Sequence, residues 1–495
     1  MYRTIRAPSA AITLSILLLV SAPNCWGQGP TASPSPATHT VNSDKTKSDA
    51  PDTAKNSQLD KQTKTSDAQA SAQTTGADTA QNPDPAKPAA ATAPDDAWHR
   101  ETMTGDWGGA RSSWKEKGIE LEFKLSNFVQ GVTSGGVRHD TEFNGKMEMT
   151  WKFDLGKVAG WKLWSSEMKA EFRYSGPVLG GTGGLNPVNT ATLTPAGDGE
   201  VVSITALNFT RLIPKDMAKG NLDVISFGRF NLLDLLQEDF FGGGGTDRFF
   251  NIAFIGPLTV LRQIPLVTNG FSYATVRGGE PRFTFMLLDP NDHSLNPGID
   301  DLFADGVTFS PGYNIPTKYW GKSGKHSFGG AITTKKYTPF DAIRQVIIPG
   351  PPINPVEPKR GSWSASYTFR QSIVERGKSD GWGLFTQVAF ADKDTSPMTR
   401  FFNVGIGGNG LLKKRDGDEF GFGYAYSNLS SVLKDNLNLV SLGNVRPRSD
   451  HTFEAFYDFH LTPWLQLTGD LQIIRGIRRS ADTAVVPGAR LVMIF

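Results

Sequence analysis

Apolar and charged residues alternate with a period of two along many stretches of this chain. The alternation is clearest over residues 141–154, where one parity includes Phe143, Trp151 and Phe153 and the other is charged or polar. Successive side chains of a β-strand point to opposite faces, so the pattern predicts strands with one apolar and one charged face. Strands of about ten residues with this pattern are typical of membrane barrels, in which lipid covers one face and water the other.

The same pattern, followed along the chain, predicts sixteen strands. The predicted fold class is therefore all-β, a closed antiparallel transmembrane β-barrel of the outer-membrane porin type, because a bilayer tolerates no unpaired strand edge. The predicted strands span residues 119–130, 141–154, 163–174, 201–211, 221–229, 271–277, 282–289, 305–310, 326–335, 362–371, 381–391, 400–409, 419–428, 450–460, 464–475 and 484–495.

The connections between these strands alternate between short and long, as the periplasmic turns and outer loops of bacterial barrels do. The longest is the third outer loop, residues 230–269. One connection breaks the rule, because Pro311–Lys325 is predicted to be a longish turn on the side of the short ones. The last strand ends on Phe495, and an aromatic final residue is common in outer-membrane barrels.

The chain before the barrel has two parts. Residues 1–27 have the pattern of a secretory signal, with arginines before a short apolar stretch. Residues 28–97 are rich in Ala, Thr, Ser, Asp, Lys, Gln and Pro, so we expect a disordered periplasmic tether. Residues 98–495 are then the barrel domain. The single cysteine, Cys25, leaves with the signal, which excludes cysteine-based metal sites.

Charge and motifs exclude several other classes of protein. The 51 basic and 49 acidic residues give a net charge of +2, which argues against a nucleic-acid partner. Gly405–Gly410 matches a dinucleotide-binding pattern, but no helix follows it, so we interpret it as a glycine-rich strand. The seven histidines lack the spacing of a zinc site, and Asp416 and Asp418 indicate a solvated turn rather than a calcium site. We predict no metal, no cofactor and no catalytic residue.

Three stretches resemble the OprB family of carbohydrate-selective porins. The first begins at Thr104 and contains the family motif residues Gly105, Asp106, Trp107, Gly108, Gly109 and Arg111. The second is Gly228–Asp234, and the third is Glu454–Gln472, followed by Gly488, Arg490 and Phe495. The resemblance covers residues 98–495 and implies a sixteen-stranded outer-membrane channel through which sugars diffuse. Gly469 stands where the family usually has proline, a departure that bears on substrate range.

The resemblance also implies where selectivity lies, because porins fold the third outer loop into the pore. Charged side chains near a constriction set the selectivity of a channel. The residues that we predict to bind substrate at the constriction are Arg229, Asp234, Glu238, Arg248 and Arg262. The strand parity points four further residues into the lumen, namely Lys146, Glu148, Glu171 and Arg173. The loop phenylalanines, which include Phe240, Phe241, Phe249, Phe250 and Phe254, either cover sugar rings or wedge the loop against the wall.

The family motif at Gly105–Arg111 offers one carboxylate, Asp106, with no neighbouring acid or histidine, so we expect it to shape the periplasmic approach to the first strand. The predicted function is passive, carbohydrate-selective diffusion across the outer membrane of a Gram-negative bacterium. The expected partners are small sugars, outer-membrane lipid and the barrel assembly machinery, and both a monomer and a homotrimer remain open. Three alternatives also remain: a general diffusion porin, an outer-membrane barrel hydrolase, and a secreted sugar-binding β protein.

Overall fold

A computed structural model describes residues 96–175, 181–197, 199–296, 298–342, 357–377, 380–441 and 446–495. These residues form one antiparallel sheet of sixteen long strands and one short strand, β2. The strands are β1 (Ile119–Gly131), β2 (Ser134–Gly136), β3 (Thr141–Asp154), β4 (Trp164–Tyr174), β5 (Val201–Asp216), β6 (Asn221–Asn231), β7 (Val267–Arg277), β8 (Glu280–Leu288), β9 (Thr308–Tyr319), β10 (Lys322–Tyr337), β11 (Lys359–Gly377), β12 (Asp380–Ala391), β13 (Met398–Asn409), β14 (Glu419–Leu429), β15 (Asp450–Thr462), β16 (Leu465–Arg475) and β17 (Asp482–Ile494). The predicted signal and all but the last two residues of the predicted tether lie outside the described residues.

Helical segments are short and lie in the connections. The α-helices are α1 (Ala110–Glu116), α2 (Leu155–Val158) and α3 (Ser431–Val440). Single 3₁₀ turns occur at Trp107–Gly109, Ala191–Leu193, Met217–Lys219, Leu232–Leu235, Ile252–Phe254 and Phe340–Ala342. Within the described ranges, no helix is long and apolar enough to cross a membrane.

The sheet closes because β1 pairs with strands on both of its edges. One edge of β1 pairs with β3, and the other pairs with β17 in a register that runs from Lys124 opposite Ile494 to Gln130 opposite Gly488. A closed sheet satisfies the backbone hydrogen bonds of every strand, which a bilayer requires because lipid offers no partner. The predicted sixteen-stranded closed barrel is therefore confirmed.

The predicted turn at Pro311–Lys325 is wrong. Strand β9 continues to Tyr319 and β10 begins at Lys322, so a two-residue turn joins them. The prolines misled the prediction because proline lacks the N–H of a strand ladder. The structure tolerates both, since Pro311 pairs with β8 but not with β10, and Pro316 pairs with β10 but not with β8. With this correction, consecutive connections lie alternately on a long-loop side and a short-turn side, and both ends of the barrel domain lie on the short-turn side. The lengths do not alternate everywhere, because the connection 392–397 on the long-loop side has six residues and the connection 410–418 on the short-turn side has nine.

The largest cluster of buried apolar residues lies inside the barrel. It joins the loop between β6 and β7, hereafter the third loop, to the inner wall formed by strands β12–β15. Its members are Phe240, Phe241, Phe249, Ala253 and Phe254 of the loop and Phe385, Ala389, Met398, Phe401, Ala425 and Phe456 of the wall. The barrel therefore has a packed interior on one side, and the third loop is part of that core.

Candidate functional site

The third loop spans residues 232–266 and contacts the wall on several sides of the lumen. A patch of glycines on the inner wall makes room for it, because Gly383, Gly407 and Gly421 are directly opposite one another on β12, β13 and β14. A Cβ atom on Gly383 would lie 2.5 Å from the ring of Phe240, and one on Gly421 would lie 2.6 Å from the ring of Phe249. The glycine-rich strand predicted at 405–410 is thus part of the seat of the loop.

All five loop phenylalanines named above are buried, so they are not available to stack on sugar rings. Phe249 stacks on Phe254 at 4.8 Å and meets the edge of Phe456 at 4.9 Å. Phe250 packs edge-on against Phe128 of β1, with ring centroids 5.8 Å apart. These rings fix the position of the loop backbone.

Four carboxylates of the third loop are paired with cations of the wall. Lys169 Nζ lies 2.7 Å from Asp234 Oδ1, and Lys325 Nζ lies 2.7 Å from both carboxylate oxygens of Glu238. The other two pairs are Asp239 with Arg370 and Asp247 with Lys124. One pair has the opposite polarity, since Arg248 Nε lies 3.3 Å from Glu419 Oε2 of β14. The loop is thus held by acids on the loop and bases on the wall.

Buried groups of the C-terminal strands hold the loop backbone. Arg490 is fully buried and donates hydrogen bonds to the carbonyls of Gly245 at 2.9 Å, Asp247 at 2.5 Å and Arg248 at 3.0 Å. Glu454 accepts hydrogen bonds from the backbone N–H groups of Phe250 and Asn251 at 2.6 and 3.0 Å. The stretch from Glu454 onward that resembles the OprB family therefore acts on the third loop.

A second inward-folded loop, of which the structure describes residues 181–197, was not predicted. Its Thr190 N–H donates to the Phe250 carbonyl at 2.8 Å, and its Pro187 carbonyl accepts from Ile252 N–H at 3.2 Å. Lys146 Nζ reaches Thr194 Oγ1 at 2.9 Å. The signal was present in the sequence, because residues 181–197 carry no charged side chain, which is unusual for a long loop that faces water.

The third loop and the wall strands β1, β3 and β4 enclose a polar cavity of about 180 Å³. Its charged lining consists of three lysines, Lys124, Lys146 and Lys169, and four carboxylates, Glu122, Glu148, Asp234 and Asp247. Uncharged donors and acceptors complete it, among them Thr150, Asn231, Gln237 and Thr246. The formal charge of the lining is −1, so the cavity is rich in hydrogen-bonding groups and nearly balanced in charge.

Two loop carboxylates of this cavity differ in pKa. Burial raises the pKa of Asp234 to about 6, although the Lys169 ammonium opposes the rise. Burial also raises the pKa of Asp247, but the Lys124 ammonium outweighs it, so the pKa of Asp247 falls below its ordinary value. Of these two carboxylates, Asp234 is the one whose charge changes close to neutral pH.

The structure brings together only part of the predicted set. Asp234, Lys146 and Glu148 line the cavity, and Glu171 lies directly behind it, 2.9 Å from Lys146 Nζ. Glu238 and Arg248 lie on the third loop beyond the cavity lining, in the ion pairs described above. Lys124, Lys169 and Asp247 also line the cavity but were not among the predicted site residues. The two lysines could have been found, because the strand parity that points Lys146 into the lumen points them there too.

The other three predicted residues hold loops. Arg173 is fully buried and donates to the carbonyls of Pro195 and Gly197 in the second inward-folded loop. Arg229 donates to the carbonyl of Asn296 at 2.7 Å, in the loop after β8. Arg262 stacks on Tyr337, with its guanidinium carbon 4.6 Å from the ring centroid. Arg229, Arg248 and Arg262 share no contact with one another, so the structure contains no cluster of these three cations.

The family motif at Gly105–Arg111 lies at the seam between the two ends of the barrel. Arg111 donates to the carbonyls of Leu121 on β1, at 3.2 Å, and of Phe495 at the C-terminus. Its guanidinium also lies over the ring of Trp107, 4.6 Å from the centroid. Asp106 accepts two hydrogen bonds from Ser112 at 2.8 Å, which fixes the start of α1. The motif therefore ties the chain before β1 to the last residue of the barrel.

No group of three or more His, Cys, Asp or Glu side chains in the described part of the chain could hold a metal ion. The histidine rings that lie on the barrel wall have other partners. His326 bonds to Tyr367 at 2.7 Å, and His451 bonds to Tyr424 at 2.9 Å.

Comparisons with known proteins agree with the fold. Residues 138–493 match the model of the family described as carbohydrate-selective porin, OprB family. Porin B of Pseudomonas aeruginosa is 23% identical over 450 residues, which cover 82% of this chain and 93% of that protein. A high-pH structure of Pseudomonas putida OprB superimposes with a TM-score of 0.66 at 20% identity, and covers 80% of this chain and 99% of that one. This chain belongs to the OprB family of carbohydrate-selective porins, β-barrel channels of the outer membrane of Gram-negative bacteria.

Proposed function

We propose that neutral sugars cross this barrel through the cavity between the third loop and strands β1, β3 and β4. The observation that carries the proposal is the alternation of ammonium donors and carboxylate acceptors around one small cavity, in Lys124, Lys146, Lys169, Asp234 and Asp247. A sugar presents hydroxyl groups that both donate and accept hydrogen bonds, so it can bond to such a lining without carrying a charge.

The paired charges explain how this lining would favour a neutral solute. Lys169 lies 2.8 Å from Glu148 and 2.7 Å from Asp234, so each charge already has its counter-ion. An ion that enters gains little from a lining whose charges are compensated, whereas a hydroxyl adds a hydrogen bond without disturbing an ion pair. Binding by single hydrogen bonds remains weak, which a conducting channel requires.

In this proposal the arginines and Glu238 do not contact the sugar but position the elements that form the constriction. Arg248 and Glu238 hold the third loop against β14 and β10, and Arg229 and Arg262 hold the loop after β8 and the side chain of Tyr337. We therefore assign them to the position of the constriction, and Asp234 with the three lysines to contact with the solute. Transport is passive, and the chain acts as a channel rather than as an enzyme.

Two substitutions at one position test the assignment. Asp234→Leu removes the acceptors, so inhibition of the ion current by glucose in planar bilayers should weaken by about tenfold or more, since one hydrogen bond to a charged group contributes roughly 1.5–3 kcal/mol and about 1.4 kcal/mol is a factor of ten. Asp234→Asn keeps one acceptor and should retain most of the inhibition. Glu280→Leu, at the exposed first residue of β8 on the short-turn side, is the matched control and should leave inhibition unchanged.

The outcome also separates the proposal from its alternatives. If glucose inhibits the ion current through Asp234→Leu as strongly as the current through the wild type, the sugar does not contact this cavity. A general diffusion porin would pass a hexose and an uncharged polyol of equal size at the same rate, so equal rates would favour that function. Hydrolysis of ester or glycoside substrates by the purified, folded barrel would instead favour an enzyme. We propose in addition that barrel assembly machinery and outer-membrane lipid are its partners.

A further inference from the structure

Arginine side chains are concentrated at the outer rim of the barrel over β15–β17. Arg475 is the last residue of β16, and Arg478 and Arg479 lie in the connection from β16 to β17. Arg446 and Arg448 lie just before β15 begins at Asp450. This rim is on the long-loop side, which faces the outside of the cell in bacterial barrels.

Four of these arginines have no counter-ion in the described part of the chain. No carboxylate oxygen of a described residue lies within 4.0 Å of the side-chain nitrogens of Arg446, Arg475, Arg478 or Arg479. Asp450 is fully buried and accepts a hydrogen bond from the Leu185 N–H at 2.8 Å, and Asp435 and Asp482 are exposed carboxylates of this region. The rim therefore carries an excess of positive charge.

Arg448 has a structural role beside them. It donates to the carbonyls of Gly476 at 2.8 Å and Ala481 at 3.0 Å, and so fixes both ends of the connection that carries Arg478 and Arg479. Burial, followed by the positive charges of Arg475 and Arg479, lowers the pKa of Arg448. Arg475 and Arg479 are thus close enough to act on Arg448, and a connection held at both ends presents Arg478 and Arg479.

The patch lies at the level where the membrane meets water. Every second residue of β16 from Leu467 to Arg475 is exposed, so Arg475 has the parity of the lipid-facing residues Leu471 and Ile473. Its neighbour across the sheet is His451, which packs against Tyr426 with ring centroids 5.3 Å apart. Tyrosines of this kind mark the membrane interface in outer-membrane barrels. Arg475 therefore stands at the height of lipid headgroups.

We propose that the arginine patch, defined as Arg446, Arg475, Arg478 and Arg479, binds the phosphate groups of a lipid in the outer leaflet of the outer membrane. Guanidinium groups bind phosphate through two parallel hydrogen bonds, and clusters of basic residues beside a membrane attract anionic headgroups. The partner is a phosphorylated lipid rather than a soluble anion, because Arg475 faces the lipid and not the lumen. The site is separate from the channel and does not depend on which solute the channel passes.

The test compares retention of diphosphorylated lipid A by the full-length protein in detergent, measured by native mass spectrometry. The double variant Arg475→Gln, Arg479→Gln should bind this lipid about 30-fold more weakly, at ~1 kcal/mol for each arginine and 1.4 kcal/mol for each factor of ten. The control is Lys157→Gln, Lys318→Gln, which removes two exposed cations from the opposite rim. Slower migration of heated than of unheated samples in gels shows that each variant has folded.

Three results would overturn the proposal. The first is equal retention of lipid A by the wild type and the Arg475, Arg479 variant. The second is an equal loss of lipid A binding in the Lys157, Lys318 variant of the opposite rim, because the effect would then depend on net charge rather than on the position of the cations. The third is equal binding of dephosphorylated lipid A, which would show that the acyl chains and not the phosphates are recognised. Retained sugar inhibition in the Arg475, Arg479 variant would show that the channel itself is unaffected.

Discussion

Replacement of Arg490 by methionine should loosen the third loop without unfolding the barrel. The guanidinium donates to three loop carbonyls, those of Gly245, Asp247 and Arg248, and is fully buried beneath them. Hydrogen bonds to a charged group contribute roughly 1.5–3 kcal/mol each, and water in the lumen can replace part of what is lost. We therefore estimate that the anchoring weakens by about 4 kcal/mol, which raises the population of the detached loop by about a thousandfold.

The detached state should be visible as brief openings to a higher conductance. The phenylalanines of the loop remain packed on the glycine patch in Arg490→Met, so the closed position should still be the major one. Single-channel recording in planar bilayers measures both the frequency of the openings and their amplitude. Arg490→Lys retains the charge but reaches fewer carbonyls, and should give fewer openings than Arg490→Met.

A matched arginine elsewhere in the barrel provides the control. Arg376 bonds to Asp380 at the short-turn end of the barrel. Arg376→Met should therefore show openings of the same frequency and amplitude as the wild type. If folded Arg490→Met shows the conductance and current noise of the wild type, Arg490 does not hold the third loop. A barrel that fails to fold in Arg490→Met but folds in Arg490→Lys, with more openings than the wild type, would still support the anchoring role.

Three further predictions follow from other parts of the structure. Gly421→Leu should displace the ring of Phe249 and raise the current noise, as measured by single-channel recording, whereas unaltered recordings would contradict the role of the glycine patch. Because the pKa of Asp234 is about 6, the preference for cations over anions should fall between pH 7 and pH 5, and Asp234→Asn should lose this dependence in reversal-potential measurements. Phe495→Asp should reduce the amount of folded barrel in the outer membrane, since it replaces the aromatic last residue by a charge at the lipid interface; wild-type amounts would contradict a role for the Phe495 side chain.

The strands could be predicted from the sequence because their two faces meet different solvents. Phe143 and Lys146 lie on opposite faces of β3 because their positions have opposite parity. Parity is set by the strand geometry rather than by distant contacts. The prediction failed at Pro311 and Pro316, where each proline pairs on one side only, a detail that depends on neighbouring strands. Strand ends were placed less well than strand centres for the same reason.

The constriction could be predicted only in part because its contacts join residues far apart in sequence. Parity placed Lys146 and Glu148 in the lumen, but nothing local shows that Asp247 is the partner of Lys124, which precedes it by more than a hundred residues. Arg229 was expected at the constriction because it flanks the third loop, yet its partner is the Asn296 carbonyl in another loop. Loop conformation, not periodicity, decides which cations meet the solute.

The most direct test of the account is the rate at which proteoliposomes swell in solutions of matched solutes. Glucose, gluconate and glucosamine have similar size but are neutral, anionic and cationic at neutral pH. If paired charges at the cavity favour hydroxyl-bearing neutral solutes, glucose should enter faster than both charged analogues, and Asp234→Leu should slow glucose more than it slows gluconate. Equal rates for all three solutes, or the same rates in the wild type and in Asp234→Leu, would contradict the central claim that this cavity selects sugars.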